Sequence, residues 1–144
     1  MPSTLKNVIL CGTRIIESSL HQILLNNTFL ETLFIEDFNG TYLEWNTLDL
    51  RSCNSLCLIS ICGWRSSTFP FPLHLFTNLH SLKLDDCPLL ESFPAGGFPS
   101  SLSILHIYRC PKLIASREKW SLFQLDSLKE LIVSDDFENM ESFP

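Results

Sequence analysis

Nowhere do the 144 residues contain the roughly 20 consecutive apolar side chains that a bilayer-spanning helix needs. Nor is there a basic cluster. Ten lysines and arginines stand against 16 aspartates and glutamates, a formal net charge of −6. Nucleic acid and anionic membrane surfaces both demand cations gathered on one face, so neither is expected as a partner. Glycine is scarce, five residues in all. Gly96-Gly97 lies between prolines and reads as a turn, and no G-x-x-x-x-G-K-[ST] occurs, so this stretch holds no phosphate-cradling loop. The opening MPSTLKNVILCGTRII lacks the pattern of a secretory signal: its short apolar run is broken by Cys11-Gly12-Thr13 and then Arg14. The expected compartment is therefore cytoplasmic. Its six cysteines (11, 53, 57, 62, 87 and 110) are expected there as reduced thiols. Two sequons, at Asn26 and Asn39, would matter only in a secreted chain, such as an inhibitor-type repeat protein.

Chemistry-bearing constellations are equally sparse. His21, His74, His80 and His106 are dispersed, with no serine, cysteine or carboxylate set around them, so no enzyme is expected. Cys53, Cys57 and Cys62, with His74 or His80, offer metal-ligating atoms. Their spacing departs from the C-x2-C knuckle, however, and Cys57 and Cys62 fall on opposite sides of a short strand. No metal or cofactor is expected. The pairs Asp85-Asp86 and Asp135-Asp136 both follow apolar stretches and read as turn residues rather than calcium ligands.

What the chain does have is 45% apolar and 18% charged residues, a globular balance, and a repeat. Leu79, Leu82, Leu84 and Cys87 of NLHSLKLDDCPLL match Leu102, Leu105, Ile107 and Cys110 of SLSILHIYRCPKL, and proline follows both cysteines. The pattern L-x-x-L-x-L-x-x-C extends over the chain. Its other anchors are Leu5/Val8/Leu10, Leu30/Leu33/Ile35/Phe38, Leu56/Ile59/Ile61/Trp64 and Leu128/Leu131/Val133. First anchors at 5, 30, 56, 79, 102 and 128 give spacings of 25, 26, 23, 23 and 26, inside the roughly 20–29 residues of leucine-rich repeats. Within each copy, x-L-x-L-x alternates with the period of a strand buried on one side. One such strand cannot bury its apolar face alone, whereas stacked copies share a continuous core. The expected fold is thus an α/β leucine-rich-repeat solenoid of about six repeats. It should carry a curved parallel sheet on the concave side, with short helices and irregular returns on the convex side.

The position three beyond the second strand residue, where such repeats carry an inward asparagine or cysteine bonding to nearby backbone, is Thr13, Phe38, Trp64, Cys87, Cys110 and Asp136, so only the two middle repeats are regular there. In the first return, Ile16, Leu20, Ile23 and Leu24 have helical spacing. FPFPLHLF and LLESFPAGGFPSS should be extended or turn-like because proline removes a donor and fixes φ. REKWSLFQLDS has room for one helical turn. The terminal MESFP reads as another return cut short, which suggests that residues 1–144 are one domain-like fragment of a longer solenoid.

Alternation also turns residues outward on the concave face. One column reads Ile9, Phe34, Ser60, Lys83, His106 and Ile132; the next reads Cys11, Glu36, Cys62, Asp85, Tyr108 and Ser134. Mixed aromatic and charged side chains on an open face suit protein recognition. The candidate partner-binding residues are Phe34, Glu36, Ser60, Lys83, Asp85, His106, Tyr108 and Ile132.

The combination SLKLDDCPLLESFPAGGFPSSLSILHIYRCPKL, with Trp120 and SLKELIVSDDFENMESFP after it, resembles the C-terminal repeats of plant coiled-coil nucleotide-binding disease-resistance receptors. The likeness is strongest over residues 76–144 and carried by repeat anchors alone over 1–75. It implies a defence role in which the repeats recognise a pathogen effector or a guarded host protein, or restrain the receptor through its own nucleotide-binding domain. The alternative is a truncated, scaffold-like fragment with no recognition activity of its own.

Overall fold

Each x-L-x-L-x stretch forms a five-residue strand: β1 (Asn7–Cys11), β2 (Thr32–Glu36), β3 (Leu58–Cys62), β4 (Ser81–Asp85), β5 (Ile104–Tyr108) and β6 (Glu130–Ser134). The computed structural model describes residues 6–11, 29–36, 55–65, 67, 73–93, 96–120, 122, 125–134 and 140–143. In it the six strands lie side by side in chain order, all parallel, in a sheet that does not close. Their register is unslipped, so Ile9, Phe34, Ser60, Lys83, His106 and Ile132 lie in one row across the sheet. With side chains alternating at period two, a one-residue slip would expose every core residue, and this fixes the register.

The inward pairs Leu33/Ile35, Ile59/Ile61, Leu82/Leu84, Leu105/Ile107 and Leu131/Val133 are buried, together with Val8. Leu30, Leu56, Leu79 and Leu102 add a third buried row just before the strands. Each such side chain stabilises by about 1.5–3 kcal/mol when removed from water, and only the neighbouring repeat can cover it. The architecture is that of an α/β leucine-rich-repeat solenoid.

Backbone bonding repeats as regularly as the side chains. One carbonyl ahead of each strand accepts two N–H groups from the next repeat. Lys6 accepts from Glu31 and Thr32 (2.7 and 3.0 Å), Cys57 from His80 and Ser81 (2.8 and 2.9 Å), and His80 from Ser103 and Ile104 (2.8 and 3.0 Å). After the strands, Gly63, Asp86 and Arg109 take left-handed φ of 76°, 55° and 52°. Their N–H groups donate to Asp85 O, Tyr108 O and Ser134 O at 3.0, 3.0 and 2.7 Å. The left-handed residue aims its N–H at the adjacent turn, and glycine or aspartate tolerates it best.

Cys87 and Cys110 follow and are wholly buried. Their thiols lie against the carbonyls of Asp85 (3.5 Å) and Tyr108 (3.1 Å), the backbone bonding expected at that position. Trp64 fills the equivalent place in β3's turn and is buried.

The returns are short. Leu73–Leu75 forms one 3-10 turn, and Gly96 and Gly97 take φ of 94° and 77° in the turn between prolines. Within REKWSLFQLDS, where one helical turn was expected, Arg117–Trp120 forms a 3-10 helix. An unanticipated α-helical turn, α1 (Pro111–Ala115), precedes it. Pro111 starts α1, where its missing N–H has no intrahelical acceptor to lose. The first-return helix and residues Thr13, Phe38, Asp135 and Asp136 lie outside the described residues.

Two expectations are corrected. Met140–Phe143, read as a return, is strand β7, antiparallel to β6 with Leu131 opposite Phe143. Glu-Ser-Phe is irregular at residues 91–93 and a strand at 141–143, because only the second copy lies beside an unpaired strand edge. Ser134, placed outward in its column, is buried. It lies between Tyr108 of β5 and Met140 of β7, flanked by backbone on both sides.

Candidate recognition surface

Three rows of side chains, not two, face outward from the sheet. The columns through Phe34 and Glu36 are joined by Asn7, Thr32, Leu58, Ser81, Ile104 and Glu130, which share their parity and register. The same alternation that identifies the other two columns contains this one. Ile9 is 65% exposed, Glu36 and Lys83 are exposed, and Phe34, Ser60, Asp85, His106, Tyr108 and Ile132 are half-buried. The Thr32 hydroxyl donates to the Asn7 side-chain oxygen, linking β2 to β1.

β4, β5 and β6 gather four of the named residues into one polar cluster. The Lys83 ammonium stands 5.6 Å from the Tyr108 ring centroid, within cation–π range. His106 meets the same tyrosine edge-on, with ring centroids 6.0 Å apart. His106 Nε2 is 2.8 Å from Glu130 Oε2 on the next strand. Asp85 Oδ1 accepts from Arg109 Nε at 2.8 Å. Burial, reinforced by Glu130 and Asp85, raises the Tyr108 phenol above its ordinary range, so it stays a hydroxyl and a donor. Arg109 is held even more firmly charged by its hydrogen bond to Asp85.

Glu130 and Arg109 were not among the residues expected from sequence. Glu130 was findable from parity. Arg109 was not, because it reaches Asp85 only through a left-handed turn that few non-glycine residues adopt. Phe34 and Glu36 lie on β2, two strands from Lys83, with the small residue Ser60 between. Ile132 extends the central column beyond His106 on β6. Asp86, expected at a turn, pairs at 3.4 Å with Arg65 on the exposed rim.

The buried cysteines stand apart from this surface. Hydrogen bonding with Cys87, together with burial, pushes the Cys110 thiol well above its ordinary range. Protonated and wholly enclosed, it is a poor nucleophile. On the return side, a cavity of about 230 Å³ is lined by Arg117, Glu118, Trp120, Leu122 and Leu131. Among the described residues no group of three or more His, Cys, Asp or Glu side chains could hold a metal ion, and no helix is long and apolar enough to cross a membrane.

An open parallel sheet of stacked repeats, one face of it lined by mixed aromatic and charged side chains, gives the chain a leucine-rich-repeat fold. The chain is similar to a candidate disease resistance protein of Arabidopsis thaliana, with 40% identity over 90 residues. That match takes in 62% of this chain and 6% of the relative. The chain thus spans a small part of the curated relative's length. No family model matches the sequence, and no solved structure matches it.

Proposed function

We propose that residues 1–144 act as a protein-recognition and autoregulatory module of a plant intracellular immune receptor, within its C-terminal repeats. The repeats form one domain that works in the cytoplasm by non-covalent contact and performs no catalysis. Its partner is a protein: a pathogen effector, a guarded host protein, or the receptor's own nucleotide-binding domain. Phe34, Glu36, Ser60, Lys83, Asp85, His106, Tyr108 and Ile132 form the contact surface.

The observation that carries this reading is the concave cluster of Lys83, His106 and Tyr108, bracketed by the Asp85–Arg109 and His106–Glu130 pairs. Interface energy concentrates in aromatic and arginine anchors set among weaker polar contacts, and this cluster has that composition. Similarity to the Arabidopsis protein supports a role related to plant defence. The test is a combined Phe34→Ala, Lys83→Ala, His106→Ala and Tyr108→Ala variant, expressed in the complete receptor. We expect loss of partner binding or of receptor restraint, read by co-precipitation and by cell-death signalling in leaf tissue. If both survive, the concave face is not the recognition surface.

A further inference from the structure

The return after β5 borders a cavity with apolar walls and one unused buried donor. Ser116 caps the end of α1, and its hydroxyl donates to Glu91 O of the preceding return at 3.0 Å. The 3-10 helix Arg117–Trp120 follows and buries Trp120, which is 6% exposed. Phe93 of the preceding return meets the indole edge-on, with ring centroids 5.5 Å apart, and Phe98 braces Phe93 at 4.5 Å. Trp120 also lines the cavity of about 230 Å³, together with Leu122 and with Leu131 of β6.

The indole Nε1 of Trp120 is buried and has no hydrogen-bond partner among the described residues. Folded chains satisfy nearly all such groups, so an orphaned donor beside a cavity points to an acceptor from outside. Phe93 offers only an aromatic ring, a far weaker acceptor than oxygen. Apolar walls with one polar group to fix orientation are the makings of a small-molecule site. Size narrows the class. A cavity of about 150 Å³ takes benzene, so one of about 230 Å³ admits a single ring with a short substituent. Charge narrows it further. The exposed residues of the lining are Arg117 and Glu118. An anion that meets Arg117 also meets Glu118, and a cation meets the reverse, so neither sign is favoured.

We propose that this cavity binds a small neutral aromatic molecule bearing a carbonyl group, such as an aryl ketone. Its ring packs against Trp120, Leu122 and Leu131, and its carbonyl oxygen accepts from Trp120 Nε1. The site belongs to the return side of the solenoid and does not rest on the recognition reading above.

The test titrates the full chain with acetophenone, with its hydrocarbon counterpart ethylbenzene, and with benzoate and benzylamine. Heteronuclear NMR follows the indole N–H resonances, and Trp120→Phe, which keeps an aromatic ring in place, identifies that of Trp120. Acetophenone should shift this resonance downfield and bind about tenfold more tightly than ethylbenzene, the scale of one net hydrogen bond. Trp120→Phe should bring the two to equal affinity, and Leu122→Trp, which narrows the cavity, should weaken both. Circular dichroism checks the fold of each variant, and the wild-type titrations decide even where a variant does not fold. Equal wild-type affinity for the ketone and the hydrocarbon, or an unmoved Trp120 resonance, overturns the proposal. So does tighter binding of benzoate or benzylamine than of acetophenone, or saturable binding of none of the four.

Discussion

At the scale of single residues, Tyr108 shows how the sheet tunes a side chain without changing its chemistry. Its ring receives Lys83 from β4 and His106 from its own strand. Its phenol is raised above the ordinary value by burial and by Glu130 and Asp85. The unfolded chain would ionise this phenol near the usual pH of about 10. The stabilisation from keeping it protonated is therefore complete below that pH and is lost as pH rises through the higher folded value. In a Tyr42→Phe background, where only Tyr108 titrates, phenolate absorbance should reach its midpoint above that of the urea-unfolded chain. Coincident midpoints would show that neither burial nor the two carboxylates act on this ring.

At the scale of the element, β-strand identity depends on the carbonyl that receives two N–H groups from the following repeat. Ser81 donates to Cys57 O at 2.9 Å beside His80 at 2.8 Å. Ser81→Pro deletes that donor at the start of a central strand and should destabilise the chain by more than about 2 kcal/mol, whereas Ser81→Ala stays within about 0.5 kcal/mol. Urea unfolding curves of the two variants make the comparison, and equal midpoints would rule out a structural role for the shared carbonyl. The strands themselves were legible because leucine spacing carries the period of two. Strand β7 was not, since Glu-Ser-Phe has no alternation of its own and becomes extended only beside the open edge of β6. The turn chemistry was half legible. Gly63 and Asp86 are residue types that tolerate a left-handed backbone, but Arg109 is not.

At the scale of the whole molecule, a solenoid is close to one-dimensional: each repeat is stabilised by its two neighbours and scarcely by the others. Leu105 is wholly buried on β5, and Leu105→Ala should cost about 2–5 kcal/mol through lost burial and the cavity left behind. The loss should be local. Hydrogen exchange should accelerate in β4, β5 and β6 and change least in β1, as expected of cooperative units smaller than the chain. Uniform acceleration across every strand would show instead that the sheet opens as one body.

By itself the sequence determined the repeat, its length, the inward rows and the two outward columns through Phe34 and Glu36. A period of two and a period of about 23–26 residues need only the positions of leucine and isoleucine. Tertiary structure alone decided which outward residues meet. Lys83, Tyr108 and Glu130 are far apart in the chain and stand in three different columns; parallel register on adjacent strands brings Lys83 diagonally to Tyr108 and His106 diagonally to Glu130. It also decided which acids are spent. Arg109 engages Asp85 by way of a left-handed turn, and His106 engages Glu130 across β5 and β6. Pairing is a matter of distances between strands, and spacing along one strand does not contain them.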